Sequence, residues 1–109
     1  MDQASTPDPA IHSFLQEIWQ RHLPSTRARL DLLEDAIRTM LNGNLAEAMR
    51  AEAQSAAHKL SGNLGMFGYI EAGEAASEIE HIFKQPTPEK LPHLVSFMQQ
   101  LRSLLAPHL

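Results

Sequence analysis

Three features of the sequence predict an all-α fold, an antiparallel four-helix bundle with an additional short N-terminal helix. Apolar residues recur at every third or fourth position along five stretches. No segment alternates with the period of two that a half-buried strand needs, so no sheet is expected. The stretches are separated by short connections rich in Pro, Gly and Asn, which join antiparallel neighbours. At 109 residues the chain is one domain, long enough for a single modest core.

Residues 1–8 read as a disordered lead-in without the basic start and apolar middle of a signal peptide, and residues 9–109 as the bundle domain. The first helix is predicted over Pro9–His22, with Asp8 as N-cap and Pro9 in its first turn. Ile11, Phe14, Leu15 and Ile18 make its buried side; Trp19 is either core, the preferred reading, or a partly exposed aromatic beside a functional face. Pro24 is expected to break the chain, after which Ser25 or Thr26 caps a second helix to about Leu41. Leu30, Leu33, Ile37, Met40 and Leu41 point inward, and the charges between them, mixed in sign, form a solvated face. Asn42-Gly43-Asn44 is a turn. A third helix follows over about 45–64, carrying the stripe Leu45, Met49, Ala53, Ala56, Leu60 and Leu64. Residues 65–68 close it. A fourth, over about 70–84, has Ala72, Ala75, Ala76, Ile79 and Phe83 as its apolar set. Thr87 and Pro88 then open the last helix, which runs to about Leu105 with Leu91, Leu94, Val95, Met98, Leu101, Leu104 and Leu105 inward. Pro92 is tolerated near its start, and Pro107 stops it.

Composition removes several function classes. Without cysteine there is neither a disulfide nor a thiolate metal site, and the chain suits a reducing cytoplasm. A net charge of −4 argues against electrostatically driven binding to nucleic acid or an anionic membrane. No apolar run approaches the ~20 residues that span a bilayer. There is no Gly-x-Ser-x-Gly elbow and no nucleotide-binding glycine loop. Glu78-Ile-Glu-His81 has the form of half a carboxylate-bridged metal site, but such sites need two such motifs pointing inward, and this one lies off the apolar stripe. His12, His22, His93 and His108 are scattered over helix faces and ends, as structural or solvated residues. No metal is expected.

His58 is different. On the third predicted helix it lies about 160° from Leu60, near the middle of the water-facing side. With it on that side run Ala51, Ser55, Gly62 and Gly65. Glycine inside a helix costs about 0.8–1 kcal/mol relative to alanine, so the two glycines call for a reason. Either the helix ends early, with one of them as C-cap, or the bare strip lets another protein's surface approach the imidazole. The second reading is preferred, because Leu60 and Leu64 keep the helical period running past Gly62. If the third and fourth helices form a hairpin centred near residues 68–69, residues equidistant from it share a level, and Glu80 comes beside His58.

The string His58-Lys59-Leu60-Ser61-Gly62, with Gly68 beyond it and Glu80 on the next helix, resembles the histidine-containing phosphotransfer (HPt) domain family. The match is densest over residues 53–83. The resemblance implies a four-helix bundle that carries a phosphoryl group on an exposed histidine, here His58, between receiver-domain aspartates of a multistep phosphorelay. It implies that Glu80 hydrogen-bonds one imidazole nitrogen and orients the ring, which fixes the tautomer and leaves Nε2 as nucleophile. Lys59 and Ser61 would contact phosphoryl oxygens or the partner, and Gly62 and Gly65 would leave room for docking. The family often has lysine three residues after the histidine; here that residue is Ser61, and Lys59 is the nearby cation. The expected partners are response-regulator receiver domains and a sensor or hybrid histidine kinase, with catalytic groups and Mg²⁺ supplied by the receiver. The chain itself would be a monomeric cytoplasmic carrier without cofactor, and not an enzyme. The donor could equally be a kinase, and the alternatives are a binding module of the same fold that no longer relays phosphate and the phosphate-accepting domain of a larger kinase.

Overall fold

The carboxylate of Asp8 accepts a hydrogen bond from the Ala10 backbone N–H at 2.8 Å, and Pro9 follows it in the first turn, so the first helix opens as its sequence predicts. In this computed structural model, which describes residues 8–109, that helix does not stop at His22. Helix α1 runs unbroken from Pro9 to Leu41. The predicted lead-in, apart from Asp8, lies outside the described residues. The two helices expected on either side of Pro24 are thus one element, with Pro24 in its interior.

The reason is tertiary. Trp19, Leu23, Thr26 and Leu30 flank Pro24 and are all buried on one face, so both halves are held to the same core. Pro24 and Gln20, whose carbonyl loses its N–H partner, are exposed, and water can satisfy that carbonyl. Ser25 Oγ donates to the His22 carbonyl at 3.1 Å, a further local bond across the proline turn.

After the Asn42–Gly43 turn come α2 (Glu47–Met66), α3 (Ile70–Lys84) and α4 (Leu91–Leu105). A single 3₁₀ turn, Pro88–Lys90, leads into α4, and another, Ala106–His108, follows it. Helix α3 has the bounds the sequence predicts. Helix α2 begins and ends slightly later than its apolar stripe suggested. It packs along α3, α3 along α4, and α1 closes the bundle against α2 and α4. No helix among the described residues is long and apolar enough to cross a membrane.

The core joins Leu30, Leu33, Ala36 and Ile37 of α1 to Ala53, Ala56, Ala57, Leu60 and Leu64 of α2. Ala72, Ala75, Ala76, Ile79, Ile82 and Phe83 of α3 and Leu94, Met98, Leu101 and Leu105 of α4 complete it. Two expectations about α1 need correction. Its 33 residues span about 50 Å at 1.5 Å each, whereas α2, α3 and α4 have 20, 15 and 15. Its ends therefore outrun the core. Ile11 and Phe14 are 57% and 60% exposed rather than buried, and Leu15 and Ile18 are only half-buried. Leu41, at the other end, is likewise exposed.

Polar contacts tie α4 and the residues after it back to α1, among them Arg27 Nη2 donating to the Leu109 carbonyl at 2.7 Å. Arg102 pairs with Glu34 and, at 2.9 Å, with Asp31. Trp19 is buried, and its Nε1–H donates to the His108 carbonyl at 3.0 Å. Edge-on contacts from Phe67 and Tyr69 pack against the Trp19 ring, and His108 lies over Tyr69.

Candidate functional site

Helix α2 separates its two faces sharply. Ala53, Ala56, Ala57, Leu60 and Leu64 are buried, while Ala51, Ser55, His58, Gly62 and Gly65 are exposed. Neither Gly62 nor Gly65 ends the helix. The end is made beyond Met66, where Gly68 takes φ +87°, the left-handed conformation glycine adopts without strain. The Tyr69 N–H then donates to the Leu64 carbonyl at 2.9 Å and the Gly68 N–H to the Gly65 carbonyl at 3.1 Å. This is the paired closure of a Schellman end, and it turns the chain directly into α3.

That tight turn sets the register of the hairpin. His58 Nδ1 lies 3.1 Å from Glu80 Oε2. A carboxylate only accepts, so Nδ1 carries the hydrogen in this contact, and in a neutral ring that is the tautomer with its lone pair on Nε2. The two partners differ in environment. The His58 side chain is 73% exposed and that of Glu80 only 14%, so the acid is held in the helix interface while the ring stands in solvent. This arrangement leaves an oriented imidazole on an open surface.

Of the other predicted site residues, Gly62 lies one turn beyond His58 and Gly65 about two turns beyond it along α2. A Cβ added to Gly62 or Gly65 would meet nothing within 4 Å, so neither is glycine for the sake of packing. The backbone beside His58 is bare. Lys59 is exposed, and Ser61 is half-buried on the side of α2 that meets α3.

Two residues that sequence reasoning passed over shape the same hairpin. Gly73 of α3 is buried, and a Cβ there would lie 3.2 Å from the Ser61 carbonyl oxygen and 3.4 Å from the Gly65 nitrogen. The helices approach closely at that point because α3 presents the small residues Ala72, Gly73, Ala75 and Ala76 there. Arg50 is the other. Its Nη1 donates to the Phe83 carbonyl of α3 at 2.8 Å. Nothing local in the sequence announces that contact, since Arg50 also forms an ordinary i,i+3 pair with Glu47 on its own helix.

Comparison with known proteins places these observations in a family. The family model described as "Hpt domain" matches residues 17–106. Protein RcaC of Microchaete diplosiphon is 32% identical over 69 residues, which make up 63% of this chain and 11% of that protein. The matched stretch is therefore a small part of that relative. No solved structure matches the chain.

Proposed function

The chain belongs to the Hpt domain family, and from that premise we propose that it is the phosphocarrier of a multistep phosphorelay, with His58 as the phosphoacceptor. The observation that carries this reading is the pairing of an exposed His58 ring with the largely buried carboxylate of Glu80, 3.1 Å from Nδ1.

In the proposed step, Nε2 of His58 attacks the phosphorus of a receiver's aspartyl phosphate. The N–P bond forms as the P–O bond to the aspartate breaks, and the carboxylate leaves with the electron pair. The imidazole gains positive charge as it does so, and Glu80, accepting from Nδ1–H, offsets it. Reversal on a second receiver returns the ring to its starting state. Phosphoryl transfer requires in-line placement and neutralisation of the equatorial oxygens, usually with Mg²⁺. Those groups come from the receiver's acidic site in this reading, so the chain is a carrier and not a catalyst. Lys59 and Ser61 contact the phosphoryl oxygens or the partner, and the bare backbone at Gly62 and Gly65 admits the receiver. A docking area of transient-interface size, about 1,200 Å² in total or less, suits a carrier that must let go of each partner.

The test is label transfer. A phosphorylated receiver with Mg²⁺ is expected to pass its phosphoryl group to the wild-type chain as acid-labile phosphohistidine, and to His58→Gln not at all. Equal labelling of the variant overturns the assignment. Binding without any labelling favours instead a module of this fold that does not relay.

A further inference from the structure

Glu80 stands close to the C-terminal end of α3, where a carboxylate is poorly placed. The end already carries the negative pole of the helix dipole, and its last carbonyls lack partners within the helix. Its cap, Gln85, has φ −142° and supplies a single backbone N–H to Ile82. No glycine closes this end as Gly68 closes α2. His81 and Lys84 lie in this last turn, and Lys90 Nζ reaches the Gln85 carbonyl, but neither these nor the cap bonds the Phe83 carbonyl. Helix ends fray, and fraying here would carry Glu80 away from His58.

Arg50 meets that end from the neighbouring helix. It lies about 12 Å before His58 along α2. Its Nη1 donates to the Phe83 carbonyl and to Gln54 Oε1, each at 2.8 Å. Its Nε and Nη2 donate to the two oxygens of Glu47 at 2.8 and 2.7 Å. Glu47 and Gln54 sit one turn below and above Arg50 on α2, so the guanidinium is fixed in place on its own helix. The hydrogen bond from Arg50 also holds the Glu47 carboxyl below its ordinary value. Phe83, whose carbonyl is capped, is one turn beyond Glu80, and its ring is fully buried.

We infer that Arg50 is a positioning residue for Glu80: it caps α3 across the hairpin, sets a positive charge at the negative end of that helix, and so keeps the turn bearing Glu80 in register with His58 Nδ1. This rests on the roles of His58 and Glu80 given above. Arg50 acts through Glu80, and Gly73 holds the hairpin closed on the other side of the pair.

The test uses the full chain with Arg50→Gln, Arg50→Lys and Glu80→Ala. Three quantities are read: the His58 tautomer by ¹⁵N NMR, hydrogen exchange of the amides of residues 80–85, and the rate of His58 phosphorylation by phosphoramidate, a small donor that needs no docking surface. Arg50→Gln is expected to keep its helix content, speed exchange in that turn, reduce the Nδ1–H tautomer and slow phosphorylation several-fold, in the direction of Glu80→Ala. Arg50→Lys retains a donor for the Phe83 carbonyl and is expected to recover part of each loss. If Arg50→Gln lowers the melting temperature but leaves tautomer and rate as in wild type, Arg50 is merely structural and the inference is overturned. Absence of label on wild-type His58 would instead sink the carrier reading, while tautomer and exchange still judge Arg50.

Discussion

Gly62 and Gly65 face open space, whereas a Cβ on Gly73 would press on the Ser61 carbonyl oxygen and the Gly65 backbone. The same residue type thus has opposite consequences on the two sides of one hairpin. Gly62→Ala is expected to stabilise the fold by about 0.5–1 kcal/mol, because helix propensity improves and nothing is displaced. Gly73→Ala is expected to lower stability by about 1 kcal/mol or more, since overpacking against backbone outweighs the propensity gain. Urea unfolding of the two variants beside wild type measures both signs. If the bare strip serves docking, a large side chain at Gly62, as in Gly62→Arg, leaves unfolding unchanged or improved but slows transfer from a receiver. A thermodynamic penalty kept on an exposed face is what made the strip readable in the sequence. Gly73 was harder to read, because a buried glycine among alanines looks like more core.

Among the elements, α3 was legible down to its ends, and its register against α2 followed from the short turn alone. That turn is local chemistry, Gly68 at positive φ followed by Tyr69, and local chemistry is what a sequence displays. Pro24 was misread for the complementary reason. Proline opposes a helix locally, but the burial of Trp19, Leu23, Thr26 and Leu30 on one face overrides it, and that burial involves partners far along the chain. Arg50 and the Phe83 carbonyl are likewise 33 residues apart. Pro24→Ala therefore restores a missing intrahelical bond in a continuous helix, and it is expected to raise stability by about 1–3 kcal/mol in denaturant unfolding. A proline that truly ended one helix and began the next would show no such gain.

For the molecule as a whole, the end of the bundle where α1, the α2–α3 turn and the chain's last residues meet is closed by Trp19, Phe67, Tyr69 and His108. Burial pushes the Tyr69 hydroxyl above its ordinary value. A phenol whose folded-state value is raised favours folding below the unfolded value of about 10, and that contribution is lost as pH rises through the folded value. Tyr69 is the chain's one tyrosine. Its ultraviolet titration is therefore unambiguous: a midpoint above that of a free tyrosine is expected, with Trp19 emission shifting red over the same range as the cluster opens. A midpoint at the free value would mean that this end stands open in solution.

The reach of α1 has a hydrodynamic consequence. With principal dimensions of 55 × 25 × 20 Å, the molecule is a rod. A rod drags more solvent than a ball of equal mass, so a single copy elutes early from a sizing column and can pass for a pair. It also tumbles anisotropically, and amide vectors aligned with its axis relax as though attached to a heavier particle. Light scattering or sedimentation equilibrium, which weigh the particle regardless of its shape, are the measurements by which copies of this chain should be counted.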